Sequence, residues 1–116
     1  MTAGNGHLDG RVVVVTGGGG GFGRLIGEMC AARGARVVVG DIDGDAATST
    51  ADAIRTAGGE AEAVAVDVRD LSQVEALAAR AVDAFGAIDV MVNNAGVCPV
   101  KPLLETTFSE WEKTMG

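Results

Sequence analysis

The sequence predicts an α/β fold: a parallel sheet with helices on both faces, built from four strand–helix units. Two observations lead there. Short, valine-rich apolar runs alternate with longer amphipathic segments. Each run stops at or just before a polar residue (Thr16, Asp41, Asp67, Asn93), and these recur 25, 26 and 26 residues apart. A strand, a loop and a three-turn helix need about that many residues.

The apolar runs are Val12–Val15, Val37–Val39, Ala63–Val66 and Ile88–Val92, interrupted only by Asp89. Short, mostly β-branched runs of this kind read as buried parallel strands. Between them, Phe22 to Arg33 is expected as a helix closed by Gly34, and Asp45 to Ala57 as one closed by Gly58 and Gly59. In the third segment Leu71, Val74, Ala78, Ala81 and Phe85 share one helical face. Asp70 with Gln73 looks like a capping pair, and Gly86 stands where a C-cap is wanted. Thr107 with Glu110 opens a fourth helix through Trp111.

Composition narrows the function. With 116 residues, 47% hydrophobic and 22% charged, the chain reads as a single globular domain, residues 1–116, with a flexible leader over 1–9. The net charge of −7 and the lack of any Lys/Arg run argue against a nucleic-acid surface. The two cysteines, Cys30 and Cys98, have no metal-ligand spacing, so no metal site is expected; two free thiols suit a reducing compartment. No secretory signal opens the chain and no run approaches 18 apolar residues, so a cytoplasmic protein without a membrane span is expected. There is no tyrosine, so a mechanism that needs one has none to draw on within these residues.

Ligands of such sheets bind at the carboxyl ends of the strands. There the first run enters Thr16-Gly17-Gly18-Gly19-Gly20-Gly21-Phe22-Gly23, and a helix follows at once. Glycines let backbone approach a phosphate with no Cβ in the way, and the helix N-terminus offers free N–H groups and the positive end of its dipole. No Gly-Lys-Ser/Thr follows, so this is not a Walker A loop. Asp41 ends the second run, where a carboxylate accepts ribose hydroxyls and repels a 2′-phosphate. Ile42 follows it, and the loop holds no cation before Arg24, which favours NAD over NADP. Asp43 suits the start of the next helix. Asp67 and the N–H of Val68 offer partners for an adenine edge, although Asp67 as a plain turn former explains its position equally well. Asn93-Asn94-Ala95-Gly96 reads either as an Asn-rich turn or as a close-approach site for a ring or ribose.

Thr-Gly-x-x-x-Gly-x-Gly at 16–23, Asp41, Asp67-Val68 and Asn93-Asn94-Ala95-Gly96 together resemble the short-chain dehydrogenase/reductases, from Leu8 to Met115. The resemblance implies a Rossmann-type sheet, NAD(P) binding, and hydride transfer between the nicotinamide and a small alcohol or ketone. It tips Asp67 and the Asn-Asn-Ala-Gly turn toward the cofactor. The candidate cofactor-binding set is then Gly17, Gly20, Gly21, Phe22, Gly23, Asp41, Ile42, Asp67, Val68, Asn94, Ala95 and Gly96. It further implies a homo-oligomer, as family members are commonly dimers or tetramers.

Family members are about twice this long, and their Ser and Tyr-x-x-x-Lys lie in the second half. The sequence therefore looks like the cofactor half of a dehydrogenase, truncated within a helix, with its sheet incomplete and no catalytic residue to name. A non-catalytic NAD-binding module and a subunit that completes its sheet with another polypeptide are the alternatives. A methyltransferase, whose sheet also carries a glycine loop, fits less well: the Thr-Gly opening and Asn-Asn-Ala-Gly speak against it. His7, Cys30 and Cys98 are expected to be passive.

Overall fold

The computed structural model describes residues 8–94. Within them the order is β1 (Val12–Thr16), α1 (Gly21–Ala32), β2 (Arg36–Asp41), α2 (Gly44–Thr56), β3 (Glu60–Ala65), α3 (Leu71–Phe85) and β4 (Val90–Asn93). The strands form one parallel sheet in the order β3-β2-β1-β4. The helix expected from Thr107 lies outside the described residues.

The period of two along the strands sorts the valines into two cores. Val13, Val15, Val37 and Val39 face α1 and α2, packing with Ala47, Ala51 and Ile54. Val14 and Val38 face α3, packing with Val74, Leu77 and Ala81. Helices therefore cover both faces, and β1 and β2 are buried along nearly their whole length. Of the segment expected as a leader, Leu8 packs against the first core; just past that segment, the Gly10 N–H donates to the Gly34 carbonyl at 3.1 Å.

Several expectations are corrected at the element ends. The third strand was expected at Ala63–Val66, but β3 begins at Glu60 and ends at Ala65, as a half-exposed edge rather than a buried run. Its outward Glu60 and Glu62 pair with Arg36, Arg55 and Arg80, charges that blunt an edge strand. The fourth strand starts at Val90, because Asp89 turns back on β1: its Oδ2 accepts from Val12 N at 2.8 Å and its N–H donates to Val12 O at 2.9 Å. On α3 the core face runs through Val74, Leu77 and Ala81, whereas Leu71 is exposed. Leu77 was not part of the expected face.

Capping follows side-chain chemistry. Asp43 opens α2 by accepting from the Asp45 and Ala46 amides, the role its position predicts. Asp70 opens α3 by accepting from Ser72 N. Gln73 pairs with Asp70 as expected, its Nε2 donating to Asp70 Oδ2 at 3.3 Å, but its Oε1 accepts from Asp67 N at 2.9 Å rather than from the Asp70 amide. Gly86, with φ of 87°, takes the left-handed C-cap. Gly20 opens α1 with no side chain, and no other side chain caps that end.

Candidate functional site

The carboxyl ends of β1 and β2 meet the start of α1. Gly17 turns the chain out of β1 with φ of 66°, a left-handed conformation that costs a residue with a Cβ about 1 kcal/mol or more. Gly18 N–H then donates to Gly40 O at 3.1 Å and Gly19 N–H to Asp41 Oδ2 at 2.9 Å. The loop is thus stitched to the end of β2 by one backbone bond and one carboxylate bond. Asp41 Oδ1 accepts from Asp43 N at 2.9 Å, so both oxygens are oriented and each keeps lone-pair capacity.

The close approach of α1 to β1 requires Gly23. A Cβ there would collide with the Gly17 carbonyl and lie 2.8 Å from Asn94 Nδ2. With no side-chain cap at Gly20, the first-turn N–H groups of α1 have no acceptor inside the helix. Together with the dipole they make a donor surface for an anion. Gly21 has a φ of 55°, and Gly20 and Gly21 both have open space where a Cβ would stand. Phe22 is 74% exposed beside them.

A cavity of about 350 Å³, within the range of small-molecule pockets, is lined by Gly17, Asp41, Ile42, Val66, Asp67, Val68 and Arg69. Five residues of the expected set meet there: Gly17, Asp41, Ile42, Asp67 and Val68. Gly20, Gly21, Phe22 and Gly23 sit apart from it, on the loop and the first turn of α1. Asn94 joins the loop by another route. Its N–H donates to Thr16 Oγ1 at 3.2 Å and its Nδ2 to the Gly17 carbonyl at 3.4 Å. Thr16, fully buried, donates in turn to Asn93 Oδ1 at 3.0 Å. Ala95 and Gly96 lie outside the described residues, as do His7 and Cys98.

Arg69 was not among the expected site residues. Its Nε and Nη2 grip Asp67 Oδ1 and Oδ2 at 3.0 and 2.9 Å, and its N–H adds a bond to Oδ1 at 3.0 Å. Hydrogen bonds from the Arg69 side chain, then its backbone, hold the Asp67 carboxyl below the ordinary carboxylate value. The signal was present in sequence as a cation two residues past the strand-end acid. Asp67 itself lies two residues beyond β3 and is held by Gln73 and Arg69 rather than by the sheet. Cys30 is partly buried against the first core, and burial raises its thiol pKa, in keeping with a passive role. No cluster of metal-ligating side chains occurs among the described residues. No helix there is long and apolar enough to cross a membrane.

Comparison with known proteins agrees with this architecture. Residues 11–116 match the family model of the short chain dehydrogenases. The chain is 44% identical over 110 residues to an L-rhamnose 1-dehydrogenase (NAD(P)(+)) of Azotobacter vinelandii, covering 91% of this chain and 43% of that protein. The crystal structure of a hydroxysteroid dehydrogenase from Escherichia coli superposes with a TM-score of 0.77 at 42% identity, over 80% of this chain and 40% of that one. An oxidoreductase of Haemophilus influenza solved with bound NAD superposes with a TM-score of 0.75 at 27% identity, over 80% and 33% of the two chains. The chain spans less than half the length of these relatives. Its parallel sheet, its glycine loop and these matches agree: the chain belongs to the short chain dehydrogenases, a family of NAD(P)-dependent oxidoreductases.

Proposed function

We propose that these residues form the cofactor-binding part, a single NAD-binding unit, of an NAD-dependent short chain dehydrogenase. Its reaction is hydride transfer between the nicotinamide and a small alcohol or ketone. The observation that carries the reading is the junction of an uncapped helix N-terminus, a glycine loop and a carboxylate at adjoining strand ends. The amides of Gly20, Gly21, Phe22 and Gly23 face the pyrophosphate; Gly17 lets the chain turn there. Asp41 takes the adenosine ribose hydroxyls, with Ile42 beside the base. Asp67 and the Val68 amide take the adenine edge. Asn94, Ala95 and Gly96 border the ribose on the nicotinamide side. When bound, NAD supplies or accepts the hydride; these residues bind and orient it.

The preference for NAD rests on Asp41, whose charge repels a 2′-phosphate. The NAD-bound Haemophilus relative supports it, while the Azotobacter relative, named for both cofactors, makes the point worth testing. A homo-oligomer in the cytoplasm completes the reading. Titration of the protein with NADH, followed by nicotinamide fluorescence, tests it. Saturable binding with NADH ahead of NADPH is expected; absence of binding to either sinks the reading.

A further inference from the structure

Three charged side chains line the cavity: Asp41, Asp67 and Arg69. Two are carboxylates and one is a guanidinium, so the described lining carries a net charge of −1. The guanidinium is committed, with two of its nitrogens on the two oxygens of Asp67 at 3.0 and 2.9 Å. Such a two-point pair fixes both groups and cancels both charges at short range. Among the described residues Asp41 has no such partner; its two oxygens accept from the backbone N–H groups of Gly19 and Asp43.

We propose that the Asp67–Arg69 pair is a cofactor-discriminating element. It neutralises the one cation that lines the cavity among the described residues and leaves Asp41 as the uncancelled charge there. A 2′-phosphorylated dinucleotide then meets a negative pocket, although an arginine stands in its wall. The proposal rests on the dinucleotide reading above and assigns Arg69 a positioning and charge-setting role, not a catalytic one.

Breaking the pair from either side shifts the balance in opposite directions. Asp67→Asn keeps the shape and one acceptor oxygen but leaves Arg69 uncancelled, so the lining becomes neutral. Arg69→Ala leaves two bare carboxylates, a charge of −2. The adenine is common to both cofactors, so a weakened adenine contact lowers both affinities and drops out of their ratio. The test is titration of the protein and its variants with NADH and NADPH at low ionic strength. The NADPH-to-NADH affinity ratio is expected to rise about three- to tenfold in Asp67→Asn and to fall by about as much in Arg69→Ala. In the double variant the charge of −1 is restored, and the ratio returns to that of the unaltered protein. Both shifts shrink as salt is added. Ratios that stay fixed, or that move the same way in both single variants, overturn this proposal while leaving the dinucleotide reading intact. An unaltered protein that binds neither nucleotide overturns both.

Discussion

The N–H of Gly19 donates to Asp41 Oδ2 at 2.9 Å across 22 residues of sequence. The carboxylate that is expected to meet the ribose is therefore also the clasp that holds the glycine loop to β2. Gly19 has no room to spare in this clasp: a Cβ there would lie 2.8 Å from Asp41 Oδ2 and 2.6 Å from Ala46 Cβ. Loop shape and cofactor choice thus share one side chain.

Asp41→Ala removes the clasp, the ribose acceptor and the repulsion of a 2′-phosphate together. Hydrogen bonds to a charged group contribute about 1.5–3 kcal/mol each. NAD affinity is expected to fall about 10- to 100-fold, with a smaller loss for NADP, so that the preference narrows. Fluorescence titration with both reduced cofactors measures it. Unchanged affinities for both would remove Asp41 from the site.

Thr16 ties the ends of β1 and β4 together. Its buried hydroxyl donates to Asn93 Oδ1 at 3.0 Å and receives the Asn94 N–H at 3.2 Å. Thr16→Val fills the same space but leaves both partners facing an apolar group. A loss of about 1–3 kcal/mol in urea unfolding is expected, recovered in large part by Thr16→Ser. A Thr16→Val protein as stable as the parent would show that the hydroxyl is dispensable.

β1 and β2 were legible in the sequence because their middles are the valine runs Val12–Val15 and Val37–Val39 and the loop after Thr16 is almost pure glycine. Those residues act through backbone and burial, which local pattern reports directly. β3, with one valine in six residues, begins three residues ahead of its expected start. Ties between distant residues were not legible. Asp89 bonds Val12 across 77 positions and Asn94 bonds Gly17 across 77, so no local rule pairs them. The face of α3 differs from its sequence expectation for a related reason. Leu71 fits the helical period as well as Leu77 does, but as the first residue of α3 it is exposed while Leu77 is fully buried. Within the site, residue types at the strand ends were legible, whereas the grip of Arg69 on Asp67 depends on side-chain geometry.

That grip has a pH signature. Asp67 is held below the ordinary carboxylate value by Arg69, so its folded pKa is depressed relative to the unfolded chain. Its contribution to stability is present above the unfolded value and is lost as pH falls through the folded one. In Arg69→Ala the Asp67 carboxyl is expected to titrate at higher pH than in the parent, as followed by carboxyl carbon NMR. The stability difference between the two proteins then vanishes under acid conditions. Identical midpoints would mean that the pair does not persist in solution.

Gly23 and Gly20 separate packing from ligand approach. A Cβ on Gly23 would strike the Gly17 carbonyl, lie 2.7 Å from the Gly17 carbonyl carbon and crowd Asn94 Nδ2. These are mostly backbone atoms that cannot swing aside, so Gly23→Ala is expected to cost about 1–3 kcal/mol, the range for overpacking. Gly20 has φ of −166°, ordinary extended backbone, and nothing within 4 Å of its would-be Cβ. Gly20→Ala therefore meets no clash, and its cost is limited to the poorer N-cap that alanine makes, about 1 kcal/mol or less. If the loop lies against a pyrophosphate, the new methyl group nonetheless weakens NADH binding, because it stands where the phosphate oxygens approach. A loss of affinity well beyond that small loss of stability in Gly20→Ala would locate the ligand on this loop. Parent-like affinity would move the ligand away from Gly20 and toward the cavity between Asp41 and Arg69 alone.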